Sequence, residues 1–122
     1  MTARLVSFGT HRPKPSKFRN VPTVIDGITF HSKREGARYK ALKLLESAGR
    51  IRDLRLQVKY PCIVEQVERV LVCTYIADFV YDELVKGAWV PVVEDVKGFA
   101  NDRWPMKKKL VRACHGIEIR ET

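Results

Sequence analysis

The hydrophobic period of this chain changes at Gly49, and that change constrains the fold more than any other feature. Before it, Ala37, Ala41, Leu44, Leu45 and Ala48 recur at helical spacing. Ser32-Lys33-Arg34-Glu35 fits a capping box, in which Ser32 and Glu35 satisfy exposed amides reciprocally, and Gly49 supplies the stop. After it, Leu54, Leu56, Val58 and Tyr60 alternate with Arg55, Gln57 and Lys59. That is the period of a half-buried strand, which Pro61 is expected to end.

Other segments extend the pattern. Asp26-Gly27 between Thr23-Val24-Ile25 and Ile28-Thr29-Phe30 predicts a hairpin, because both turn positions need positive φ. Cys62-Ile63-Val64 and Val70-Leu71-Val72 flank a polar stretch and predict another pair of strands. Tyr75–Tyr81 and Trp89–Val96 read as strands separated by a turn at Asp82–Gly87, with Pro91 tolerable near a strand start or at an edge. Asn101 or Asp102 can cap a second helix, with Pro105 in its first turn and Gly116 after His115 as its end. Ile117–Ile119 is a last short strand. The expected fold is one α/β domain, residues 23–122, with a mixed β-sheet flanked by helices and an N-terminal hairpin.

Composition agrees. The chain has 122 residues, the size of one domain, and 45% hydrophobic residues argue for a real core rather than wholesale disorder. No run approaches the ~20 apolar residues of a spanning helix, and the first residues lack the apolar run of a signal peptide. Cys62, Cys73 and Cys114 make an odd count without C-x-x-C spacing, so reduced thiols in a cytoplasmic compartment are expected rather than a disulfide framework. His11, His31 and His115 form no zinc pattern with them. Cys114-His115 could suggest a thiol nucleophile, but no third orienting group is evident.

The formal charge of +9 points to an anionic partner, first of all nucleic acid. Its distribution is uneven. Residues 1–22 carry Arg4, Arg12, Lys14, Lys17 and Arg19 with no acid, and read as a flexible basic arm or an inert terminus. Residues 23–95 are balanced, with eleven charges of each sign. Residues 96–115 return to +5, loading the second helix with Arg103, Lys107, Lys108, Lys109 and Arg112. Those cations either meet a phosphate backbone or form a solvated helix face. Trp104 could stack on a base, though a Trp on one amphipathic helix with Leu110 and Val111 is more often core.

Acids lie in the balanced centre. Asp78 sits in an apolar strand, and Val92-Val93-Glu94-Asp95-Val96-Lys97-Gly98 ends another with charges that are costly to bury without partners. Alternation puts Asp95 and Lys97 on one face and Glu94 on the other, so Asp95 is the preferred candidate. If the two strands pair, Asp78 meets Asp95 and Lys97 at one sheet end. Two close carboxylates suit a hard divalent cation, and Lys97 could orient water or offset transition-state charge. Glu35 is either a third carboxylate or the helix cap.

These residues resemble the PD-(D/E)XK nuclease superfamily: Asp78 as the strand acid, Asp95-Val96-Lys97 as acid-x-Lys, Glu35 as the helix Glu. The stretches Asp26–Glu35, Ala48–Gln57, Tyr75–Phe79 and Asp95–Gly98 look like its small phage-type endonucleases, over roughly residues 24–119. The resemblance implies a restriction-endonuclease-like αβββαβ core and a Mg²⁺-dependent endodeoxyribonuclease, with Mn²⁺ able to substitute. Catalysis would rest on Glu35, Asp78, Asp95 and Lys97, the three acids binding metal. Gln57 is a further candidate, or simply an outward polar residue on its strand. Holliday junctions or branched DNA are the implied substrates and a homodimer the implied assembly, in a phage-encoded protein acting in a bacterial cytoplasm. A non-catalytic nucleic-acid-binding module explains the charge but not the acids; a structural or assembly protein explains neither.

Overall fold

A computed structural model describes residues 21–97 and 101–122. Thr23–Ile25 (β1) and Ile28–Phe30 (β2) form the hairpin, with Asp26 and Gly27 at φ 53° and 76° in the turn. It lies against the helix after it in the chain, Lys33–Ser47 (α1). Gly36 makes this contact possible, since a Cβ there would stand 3.0 Å from Ile25 Cδ1 and 3.3 Å from Thr23 Cγ2. Ser32 caps α1, its Oγ accepting from Glu35 N at 3.2 Å. The reciprocal bond lands one residue earlier than a capping box predicts: Glu35 Oε1 accepts from His31 N at 3.0 Å.

The inward face of α1 differs from the one its alanines and leucines predict. Tyr39 and Leu42 are buried, while Ala37 and Ala48 are exposed and Leu44 is 73% exposed. The true inward face mixes Tyr39 and Leu42 with Glu35 and Arg38, so it carries no clean apolar stripe.

Four strands form the main sheet in the order β3-β4-β5-β6: Ile51–Val64 (β3), Val70–Val85 (β4), Ala88–Asp95 (β5) and Ile119–Glu121 (β6). The first three run antiparallel and β6 pairs parallel with β5, giving the mixed sheet. Segments expected as separate strands are continuous, because β3 passes through Pro61. It is an edge strand, and the Pro61 carbonyl meets His115 Nε2, so this residue faces away from β4 and its missing N–H removes no ladder bond. β4 likewise runs on to Val85, leaving Lys86-Gly87, both at positive φ, as the two-residue turn.

The second helix, Trp104–His115 (α2), starts at Arg103 without a side-chain cap, although Asn101 Oδ1 accepts from Arg103 N. Gly116 ends it in the left-handed conformation. The last strand falls at Ile119–Glu121 rather than at Ile117–Ile119.

The helices cover opposite faces of the sheet. Phe79, Tyr81 and Val92 pack with Tyr39 and Leu42 of α1; Val80 and Val93 pack with Trp104 and Val111 of α2. The two longest strands break this regularity. Leu54 and Leu56 pack with the α1 cluster, but Val58 and Tyr60 with the α2 cluster. In β4, Phe79 and Tyr81 join the α1 side, but Tyr75 and Ala77 the α2 side. Both strands thus exchange faces between the partners Leu56↔Phe79 and Val58↔Ala77, with Gln57 the β3 residue between them. Gln57 has φ 55°, a conformation that costs a non-glycine residue about 1–2 kcal/mol. The chain is a single small α/β domain, and no helix among its described residues is long and apolar enough to cross a membrane.

Candidate active site

The end of β5 brings the predicted residues together. Asp95 is 3% exposed and faces the α2 side of the sheet. Its Oδ1 accepts from Tyr75 Oη at 3.1 Å, and Lys97 Nζ lies 2.5 Å from its Oδ2. Asp78, half-buried on β4, accepts from Val96 N through Oδ2 at 2.9 Å. All four side chains line a cleft of about 440 Å³ with Glu35, Asn101, Arg103 and Lys107 on its walls.

The electrostatics are those of crowded acids. Burial, with the charge of Glu35 adding to it, pushes the Asp78 carboxyl up to about 7, against the pull of the Val96 N–H and Lys97. Burial and then Asp78 raise Asp95 to about 6, while Lys97 and Tyr75 pull it down. Glu35 therefore does two things: it caps the chain at His31 and places a carboxylate beside Asp78.

Glu94, one residue away, has the opposite environment. It is fully buried on the α1 side, where Arg38 grips both carboxylate oxygens at 2.6 and 2.9 Å. Tyr81 Oη and Thr122 Oγ1 donate to it as well. Burial alone would raise its pKa, but the bonds from Arg38 and Tyr81 outweigh that and hold it below the usual carboxylate range. Of the two adjacent acids, Asp95 lines the cleft and Glu94 does not.

Lys97 is held from three directions. Its ammonium sits against Asp95 and 3.9 Å from the centroid of the Trp104 ring. Its backbone N–H donates to Thr122 O at 3.0 Å, while Thr122 N donates to Asp95 O at 3.0 Å. Trp104 is 6% exposed and donates through Nε1 to Glu121, so it is a core residue beneath Lys97 rather than a free stacking platform.

The cations of α2 divide into two sets. Arg103 and Lys107 line the cleft. Lys108 and Arg112 pair with Glu121 and Glu118 at 2.8 and 2.9 Å and, with exposed Lys109, border a separate groove. Gln57 does not line the cleft; it sits on β3 between Leu56 and Val58, whose ladder partners Phe79 and Ala77 flank Asp78. Arg12, Lys14, Lys17 and Arg19 lie outside the described residues.

Three contributors were not visible in the sequence pattern: Tyr75, Trp104 as a support for Lys97, and Arg38 as the partner of Glu94. Strict alternation separates Tyr75 from Asp78, and only the exchange of faces puts both in the cleft. Among the described residues no group of three His, Cys, Asp or Glu side chains is arranged to hold a metal ion. Asp78 and Asp95, both raised first by burial and then by a neighbouring acid (Glu35 for Asp78, Asp78 for Asp95), are the pair whose chemistry suits a hard cation completed by water.

The chain belongs to the DUF1064 family, described as a protein of unknown function, whose match covers residues 15–121. No curated protein and no solved structure matches it.

Proposed function

We propose that this protein is a metal-dependent endodeoxyribonuclease with a restriction-endonuclease-like core. The observation that carries the reading is the meeting of Asp78, in the middle of β4, with Asp95 and Lys97 at the C-terminal end of β5, beside a cationic helix start. Two desolvated carboxylates that repel one another are costly in a merely structural site and fit a divalent cation. Asp78 and Asp95, with Glu35 next to them, would hold Mg²⁺ or Mn²⁺, which polarises a phosphoryl oxygen and acidifies bound water. Lys97, fixed by Asp95 and Trp104, presents a positive charge to the reacting phosphate. Arg103 and Lys107 bind the flanking backbone. Holliday junctions or other branched DNA are the proposed substrates, and a homodimer would present two such sites to paired strands.

A nicking assay tests this. Wild-type protein should cut a plasmid or a synthetic four-way junction in Mg²⁺ and not in EDTA, and Asp95→Ala and Lys97→Ala should not cut. Cleavage by folded variants at the wild-type rate overturns the site. Binding without cleavage in either metal supports a non-catalytic nucleic-acid-binding module instead.

A further inference from the structure

All three cysteines of the chain converge, although they lie on three different elements. Cys62 on β3 and Cys73 on β4 are direct cross-strand partners. Cys114 on α2 packs against the same cluster and donates to Ile63 O at 3.5 Å. Cys62 is wholly buried, whereas Cys73 and Cys114 are partly exposed.

Directly opposed residues of an antiparallel pair have Cα atoms about 4.5–5.5 Å apart, inside the roughly 4.4–6.8 Å that a disulfide spans. Cys114 has no such backbone registration with either partner, and its thiol proton is directed at a carbonyl. We infer that Cys62 and Cys73 form an oxidation site, which a peroxide converts from two thiols to a cross-strand disulfide.

The chemistry runs in two steps. Peroxide reaches partly exposed Cys73; its thiolate sulfur takes one oxygen to become a sulfenic acid, and hydroxide leaves. The Cys62 thiol then attacks that sulfur, the S–S bond forms, and the sulfenic hydroxyl departs as water with the Cys62 proton. Two electrons pass from the two sulfurs to the peroxide. Burial, reinforced by Cys73 and Cys114, raises the Cys62 thiol to about 11, so it brings the proton that the departing hydroxyl takes. The ring closes across the distal half of the β3–β4 hairpin, with its end on β4 two positions before Tyr75.

The sequence makes the test simple, because Arg69 and Arg112 let trypsin place the three cysteines on separate peptides, 60–69, 70–86 and 113–120. Full-length reduced protein is exposed to hydrogen peroxide, quenched with catalase, denatured, alkylated, digested and weighed without reductant. The expected product is peptide 60–69 joined to 70–86, lighter by two hydrogens and separated by reductant. Cys114→Ser should retain it, and Cys73→Ser should lose it. Alkylation of all three thiols, sulfinic acid at Cys73 without a link, or a link made only through 113–120 would each overturn the assignment. Because wild type and Cys114→Ser decide the outcome, it does not depend on the Cys73 variant folding.

Discussion

Glu94 and Asp95 are adjacent acids on one strand, both almost without solvent, and they have opposite fates. Glu94 faces α1 and is neutralised by Arg38, Tyr81 and Thr122 until it is more acidic than in water. Asp95 faces α2, where burial first and then Asp78 outweigh the pull of Lys97 and Tyr75, so it holds its proton more tightly than in water. A buried acid whose bonds are complete is structural. One that shares its site with a second acid is held at a cost, and the cleft over it is where the proposed cation would relieve that cost.

The largest expected effect separates the two directly. Asp95→Ala should lower nicking by at least about 10²-fold while leaving the fold intact. Glu94→Ala should instead destabilise the fold by about 3 kcal/mol, since it strands Arg38 and two hydroxyls, read from urea midpoints. If Glu94→Ala is stable and inactive while Asp95→Ala is active, the two roles are reversed.

Next comes pH. The folded Asp78 carboxyl, at about 7, lies above the unfolded value of about 3.9. The folded state therefore binds the extra proton between these values, and this contribution to stability is full below the unfolded pKa and lost as pH rises towards 7. Asp78→Asn should remove that loss, making the metal-free protein more stable than wild type at pH 8 and abolishing its stabilisation by added Mg²⁺. Equal melting temperatures at pH 8 would sink the prediction.

Tyr75→Phe is subtler. It removes a bond that favours ionised Asp95, so the acid limb of the pH–rate profile should move to higher pH. A profile that only drops in height would deny Tyr75 any influence on the acid. The smallest effect contrasts two lysines of one helix. Lys107→Ala should reduce the slope of log affinity for DNA against log salt by about 1. Lys108→Ala should change it less, because Lys108 is already paired with Glu121.

Much of the fold was legible because local chemistry specified it: the Asp26-Gly27 turn, the Ser32 cap, and the stop at Gly116. The positions of Asp78, Asp95 and Lys97 followed from alternation and strand pairing. The rest depended on tertiary placement. Pro61 signals an end only in a strand with neighbours on both sides, and β3 has one. Leu44 fits a helical stripe, but Glu35 and Arg38 turn inward to serve the site and Glu94. The face exchange leaves no trace in the period, since Leu54, Leu56, Val58 and Tyr60 alternate without interruption through it.

The parallel pairing of β6 sets an order of assembly. The β4–β5 hairpin, closed by a two-residue turn, brings Asp78 beside Asp95 through local contacts, and such hairpins form in about 1–10 μs. Thr122, which pins the backbone at Asp95 and Lys97, arrives only after α2 has crossed the sheet to lay β6 alongside β5. The acids are therefore gathered first and the lysine is locked last, so the cleft is completed only when its final strand docks. Pulsed hydrogen exchange during refolding should show the amides of Val80 and Val93 protected before those of Lys97 and Thr122; simultaneous protection would contradict this order.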